Sequence, residues 1–255
     1  MINSVEKAMK ILTAISDGRD KPVPLALIAK RCDIPKPTCS HILKTLLKGG
    51  YVVKASRLEG YSLGPMLHYL ARYGRYERKL VTLARPVLRW LEKKTGATAV
   101  LSVIEGGKKF IIDYADSEQN LYKEHTNILT DDIYRTATGR IILAYMNECE
   151  VREIYAKLGA PKERHWEEVT SYESLTNELE KIRTDGIASS PAIDLTEALN
   201  AVGYAVPIFK DNRCAGAVGI ALKRGGEGVK EKEAKVLTLL KKGKAEIERR
   251  LSFEE

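Results

Sequence analysis

No apolar run in this chain of 255 residues approaches the roughly 20 residues that a bilayer span needs. The opening stretch, MINSVEKAMK, holds no apolar segment of the kind a secretory leader uses. Both absences point to a cytoplasmic protein with no membrane partner. Cysteine is sparse and scattered. Cys32, Cys39, Cys149 and Cys214 stand singly with no C-x-x-C pair, which excludes a disulfide framework and a zinc ribbon and fits a reducing compartment. Histidine is equally sparse, and His125 and His165 alone fall in the C-terminal two-thirds, neither in a nucleophile–base signature. Ser189-Ser190 lack the G-x-S-x-G elbow. His125, His165 and Cys214 lack the spacing of metal ligands, and GEGVKEKEAK lacks the G-x-x-x-x-G-K-S/T pattern of a phosphate loop. No catalytic residue, metal ligand or cofactor is therefore expected.

Positive charge is what the chain has in excess, and it is confined to one end. Residues 1–75 hold thirteen lysines and arginines against five acidic residues, which is the whole net charge of +8; the remainder has twenty-nine of each sign. Such a concentration is either a solubilising surface or a footprint for phosphates. The local architecture favours the second. Asn3 and Glu6 have capping-box spacing, and Val5, Ala8, Met9, Leu12 and Ile15 follow at helical spacing. The turn SDGRDKPV follows, and Pro24 opens a second helix with Leu25, Ile28, Ala29 and Cys32 on one face.

After the short connection at Asp33 and Ile34 comes IPKPTCSHILKTLLKGG. The residue before a proline is pushed out of the α region, so Lys36 is expected outside the helix and Pro37 at its first position. Cys39, Ile42, Leu43, Leu46 and Leu47 then form an apolar stripe. Thr38, Ser40, His41, Lys44, Thr45 and Lys48 lie opposite, and Gly49-Gly50 ends the helix. Two short helices joined tightly, the second exposing small polar groups near its start, have helix-turn-helix geometry. In YVVKASRLEGYSLG, Tyr51 and Val53 are read as alternating outward and inward, as are Tyr61 and Leu63, around a turn at SRLEG. This is a two-stranded wing that offers Lys54 and Arg57 to a nucleic-acid backbone. Candidate DNA contacts are thus Lys36, Pro37, Thr38, Ser40, His41, Lys44, Lys54 and Arg57. The expected partner is double-stranded DNA, bound by a homodimer or a dimer of dimers, because one such unit makes few base contacts.

The rest of the chain reads as an α+β domain. GPMLHYLARYGRYERKLVTLARPVLRWLEKKTG is helix-rich, with an interruption expected at Arg85-Pro86. ATAVLSVIEGG and KKFIIDYAD form a hairpin about Gly106-Gly107, and GYAVPIFKD and CAGAVGIALKR a second about Asp211-Asn212. Helices are expected near residues 139–146, 148–158, 171–185 and 229–251, covering an antiparallel sheet. The proposed division is a winged domain at 1–65, a linker helix at 66–84 and a sensor domain at 85–255. In RTATGR, the hydroxyls of Thr136 and Thr138 and the free N–H groups near Gly139 gather at a helix N-terminus. There they either cap the helix or hold a small carboxylate. Cys214 beside Arg213 reads as a packed strand residue and not as a nucleophile.

SVEKAMKILTAI, IPKPTCSHILKTLLKGGYV, GYSLGP, TATGRIILAYM, LTNELEKIRTDGIA and GYAVPIFKDN together resemble the isocitrate-lyase-regulator (IclR) family of transcription factors over nearly the whole chain. The resemblance implies a winged helix-turn-helix domain followed by a GAF- or profilin-like effector-binding domain. It also implies a small-molecule effector, a small carboxylate first among the candidates. Carried over by position, it places Ala137, Thr138, Gly139, Asp194, Gly203, Ile220 and Leu222 at the effector. The chain departs from the family pattern at Pro37, where a small hydroxyl residue is usual, and at His41, where arginine is usual. Histidine cannot make arginine's bidentate contact to guanine. Asp131 and Asp132 stand where a glycine-proline environment is usual and would oppose an anion unless Arg135 or Arg140 offsets them. An enzyme tethered to nucleic acid and a purely architectural DNA binder are the rival readings.

Overall fold

The computed structural model describes residues 2–18, 21–56, 60–71, 80–116, 129–130, 133–162, 165–192, 201–223 and 229–253. The chain divides into two compact units, Met1–Arg78 and Lys79–Glu255. Arg57, Asp194, Asp131, Asp132 and His125 lie outside the described residues.

The first unit contains α1 (Asn3–Ser16), α2 (Leu25–Cys32), α3 (Lys36–Lys48), the hairpin β1 (Val52–Ser56) and β2 (Gly60–Leu63), and α4 (Pro65–Ala71). Its core gathers Ile11, Ala14, Ile15, Ile28, Ala29, Cys39, Leu43, Val52 and Tyr61. Several local expectations shift by a residue. Ile2 precedes α1 with no side-chain cap, so the Asn3–Glu6 box does not form. The buried face of α1 carries Ile11, Ala14 and Ile15, while Val5 and Met9 are exposed, because at 3.6 residues per turn they lie off that face. Pro24 caps α2 instead of opening it, its carbonyl accepting from Leu27 and Ile28 at 3.0 Å. Likewise α3 starts at Lys36, with Pro35 as cap accepting the Cys39 N–H at 2.9 Å. Pro37 then occupies a first-turn position whose N–H has no helical acceptor, so its ring costs no hydrogen bond. In the wing Val52 and Tyr61 are buried on the face they share with Leu63, the partner of Val52, which is itself exposed, and Val53 lies on the other face. Residues two apart on a strand share a face, so Tyr51 and Val53 cannot alternate.

The second unit is one six-stranded antiparallel sheet in the order β5-β4-β3-β8-β7-β6. Its strands are β3 (Ala99–Glu105), β4 (Lys108–Ala115), β5 (Leu129–Thr130), β6 (Ala188–Ala192), β7 (Ala201–Lys210) and β8 (Arg213–Lys223). Both expected hairpins form, with positive φ at Gly106, Gly107, Asp211 and Asn212, as two-residue turns matched to strand twist require. Pro191 sits in β6 at the sheet edge, where a missing N–H does no damage. Around the sheet lie α5 (Thr82–Thr95), α6 (Ala137–Ala144), α7 (Glu148–Leu158), α8 (Tyr172–Asp185) and α9 (Val229–Ser252). α5 and α9 pack together, and α5 packs on β3 and β4; α6 packs on β7, β8, β3 and α8. Pro86 does not interrupt α5. The carbonyl its ring would crowd belongs to the first turn, and residues 80–81 widen there into a π turn.

Candidate DNA interface and effector site

Along α3, Pro37, His41, Lys44 and Lys48 recur at the four- and three-residue spacings of one helix face, and all four are exposed. Lys36 is also exposed at the helix start; Thr38 and Ser40 are half-buried on the flanks. Cys39 and Leu43 are fully buried on the opposite side, and burial pushes the Cys39 thiol up to about 11, so it is packing and not a nucleophile. The α3 N-terminus adds free backbone N–H groups and the positive end of the helix dipole to the lysines. A helix of 13 residues is about 20 Å long, enough to lie across a major groove. On the wing, exposed Lys54 lies 5.9 Å from the centroid of Tyr61, its cross-strand partner, which holds the lysine stem on the hairpin. Arg31 donates to the Ala14 carbonyl at 3.2 Å and fixes α2 on α1. Lys48 belongs with the exposed face; its place in the i, i+4, i+7 series was visible in the sequence.

In the second unit the TATG stretch forms the start of α6, all of whose residues are buried. Thr136 is the cap: its Oγ1 accepts the Gly139 N–H at 3.1 Å. Thr138 and Gly139 therefore lie inside the helix, and one of the N–H groups expected for an anion is already used. A side chain built on Gly139 would put its Cβ 2.0 Å from the carbonyl oxygen of Ile133, in the 3₁₀ turn Ile133–Arg135. Glycine is what lets that turn lie against α6, and Gly139 faces it rather than the sheet. Ala137 and Thr138 face the sheet. The Cβ position of Gly219 on β8 is 2.6 Å from Thr138 Cγ2, and that of Gly203 on β7 is 3.6 Å from Ala137 Cβ and 3.2 Å from Ser190 Oγ.

Those two directions orient the whole sheet. Gly203, Ala205, Ala217 and Gly219 line the face beneath α6, a floor of small residues. Strand alternation puts Ile220 and Leu222, carried over as effector contacts, on the opposite face of β8. Their neighbours Gly219 and Ala221 lie on the face that meets α6.

Arg140 is held by backbone carbonyls. Its guanidinium donates to the carbonyls of Tyr134 at 2.8 Å, Ser189 at 2.8 Å and His165, and lies 4.2 Å from the centroid of Trp166. It ties the turn before α6, the edge strand β6 and the 165–166 segment together. The Cys214 thiol donates to the Gly216 carbonyl at 3.3 Å, and burial pushes it up to about 11, the state of a packed strand cysteine. Among the described residues no group of three or more His, Cys, Asp or Glu side chains could hold a metal ion. No described helix is long and apolar enough to cross a membrane. A separate groove of about 420 Å³ between α7 and α8, lined by Met146, Tyr172, Leu179 and Arg183, lies away from the TATG stretch.

A basic helix-turn-helix unit joined to an α/β unit with a small-residue floor under one helix defines a ligand-responsive DNA-binding regulator. Residues 4–56 match the IclR helix-turn-helix domain, and residues 76–249 match the C-terminal domain of the bacterial transcriptional regulator IclR. The chain belongs to the IclR family of transcriptional regulators, and its second unit is that family's effector domain. It is 28% identical to the HTH-type transcriptional regulator KdgR of Escherichia coli, over 82% of this chain and 77% of that one. The crystal structure of the Thermotoga maritima IclR superposes with a TM-score of 0.68 at 25% identity, covering 99% of this chain and 100% of that one. An IclR homolog from Microbacterium hydrocarbonoxydans, crystallised with 4-hydroxybenzoate, shares the fold with a TM-score of 0.68 at 18% identity, covering 98% of this chain and 99% of that one. These relatives are regulators and not enzymes.

Proposed function

We propose that α3 lies in the major groove of an operator, with Thr38, Ser40 and His41 at base edges and Lys36, Lys44, Lys48 and Lys54 on phosphates. The proposal rests on one observation: the face holding Pro37, His41, Lys44 and Lys48 is exposed while the face behind it is fully packed. Two copies of the chain bind a near-palindromic site in the cytoplasm, since a single recognition helix reads too few bases for specific affinity. In the second unit a small organic effector, a carboxylate, sits beside the start of α6 on the sheet face of Gly203 and Gly219. Ala137 and Thr138 are at its edge. The carboxylate assignment is supported by the 4-hydroxybenzoate found with the Microbacterium homolog. Binding there shifts the equilibrium between arrangements of the two copies and so changes operator affinity.

The test is operator binding by the triple variant Ser40→Ala, His41→Ala, Lys44→Ala on a duplex selected by the wild-type protein. Occupancy should fall to the non-specific level, and wild-type binding should weaken about 10³–10⁵-fold between 50 and 200 mM salt if some 6–10 phosphates are neutralised. Unchanged occupancy by the variant would overturn the assignment of α3. For the effector site, Thr138→Leu should abolish the response to ligand and leave operator affinity intact.

A further inference from the structure

The sheet face beneath α6 continues past Gly219 toward the β4–β5 edge, and there its chemistry changes. Ser102 pairs with Ala217 of β8, so both share the face of Gly219. Ser102 is fully buried, and its Oγ finds no hydrogen-bond partner among the described residues. Ile104, two residues on, packs against the cluster holding Ile133, Ala137 and Ile141, and so lies on this same face. Directly opposite Ile104 on β4 is Lys109. It is 2% exposed. Beside it stands Arg135, on the turn that leads into α6. Burial first, and the Arg135 charge second, press Lys109 toward its neutral form, down to about 8.

A buried lysine and an unpartnered buried hydroxyl on one face are costly for a sheet that needs only apolar packing. The Lys109–Thr130 pairing of β4 with β5 would hold equally well with an apolar side chain on that face. An anion resolves both features together, because it accepts from Lys109 and Ser102 and neutralises the charge on Lys109. We infer that Lys109 and Ser102 form the polar end of the effector cavity and hold the negatively charged group of the effector, while the rest of the effector extends over Gly219 toward Thr138. Lys109 is then the residue that selects anionic over neutral ligands of the same shape. This rests on the α6 face being the effector site.

The experiment uses the full-length protein and two probe pairs, 4-hydroxybenzoate with its uncharged methyl ester and propionate with propionamide. Thermal unfolding and isothermal titration follow binding to the wild type, Lys109→Met, Ser102→Ala and Thr138→Leu. At least one carboxylate should stabilise the wild type, and its neutral counterpart should not. Lys109→Met should weaken that binding by about 10- to 100-fold, the worth of one charge-assisted hydrogen bond, and Ser102→Ala by less. Without ligand, Lys109→Met should melt higher than the wild type, because a desolvated charge has been removed, and this shows that the variant folds. A lower melting temperature for ligand-free Lys109→Met overturns the inference, since Lys109 would then serve the fold. Equal affinity of wild type and Lys109→Met, with loss in Thr138→Leu, overturns this inference and leaves the α6 site standing. Equal affinity in all three variants overturns both, as does a wild type that responds to none of the carboxylates.

Discussion

Replacing Arg140 with methionine isolates the structural debt of the TATG segment. Methionine keeps most of the apolar length against Trp166 but withdraws the donors to Tyr134, Ser189 and His165. Tyr134 and His165 are 2% and 4% exposed, so water cannot replace the lost donor at those two carbonyls. Each buried acceptor left without a donor costs about 1–3 kcal/mol, and losing the contact with the indole face adds about 1 kcal/mol. Returning the guanidinium charge to water offsets part of this. The net cost is about 3–5 kcal/mol, the range seen when one side of a buried charged contact is removed. For a domain of this size that corresponds to a fall in Tm of about 8–15 °C. The assay is thermal unfolding followed by tryptophan fluorescence. Trp90 and Trp166, the chain's two tryptophans, both belong to the second unit, so the signal reports that unit alone. A melting temperature within about 2 °C of the wild type would refute the reasoning, since a change of that size is worth less than one orphaned carbonyl.

Three further outcomes follow from the same geometry. Gly139→Ala should destabilise the second unit, because a methyl placed 2.0 Å from the Ile133 carbonyl outweighs the gain of about 1 kcal/mol in helix propensity; a higher Tm would show that the 3₁₀ turn yields freely. Gly219→Val should displace Thr138 and weaken effector binding, whereas Ile220→Val should leave that binding unchanged; isothermal titration of the pair decides which face of β8 is used. The stability of the wild type relative to Lys109→Met should rise between pH 8 and pH 10.5, because the unfolded lysine keeps its proton over that window while the folded one loses it. The total change is about 3 kcal/mol, readable from urea unfolding at a series of pH values, and a flat difference would mean that Lys109 is not desolvated.

The parts of this fold that the sequence announces are those whose physics is local. Gly106-Gly107 and Asp211-Asn212 mark hairpins because positive φ at two successive residues selects those types. Ser171 and Asn147 cap α8 and α7 with three-residue spacings that can be read directly. The misreadings share one cause, which is that a face is assigned by neighbours distant in the chain. Whether Met9 or Ile11 turns inward depends on where α2 and α3 lie. Whether Gly219 or Ile220 meets α6 depends on strand register, where a slip of one residue reverses every side chain. The task of Arg140 is invisible for the same reason, its partner Ser189 lying 49 residues away. Lys109 and Ser102 read in isolation as ordinary strand residues, and only the pairing of β4, β3 and β8 brings them to one face. In the first unit the exposed face of α3 was legible, because one short helix carries it.

The central claim is that α3 reads bases, and the measurement closest to it is a paired selection from random duplex DNA with the wild type and His41→Arg. Arginine can donate two hydrogen bonds to guanine O6 and N7 where histidine cannot, a difference of about 1–3 kcal/mol at one base pair. The two proteins should select consensus sites that share their symmetry and spacing and differ at a single position per half-site, with guanine gained by the arginine variant. Identical consensus sites from the two proteins would mean that His41 does not face the bases, and would contradict the claim.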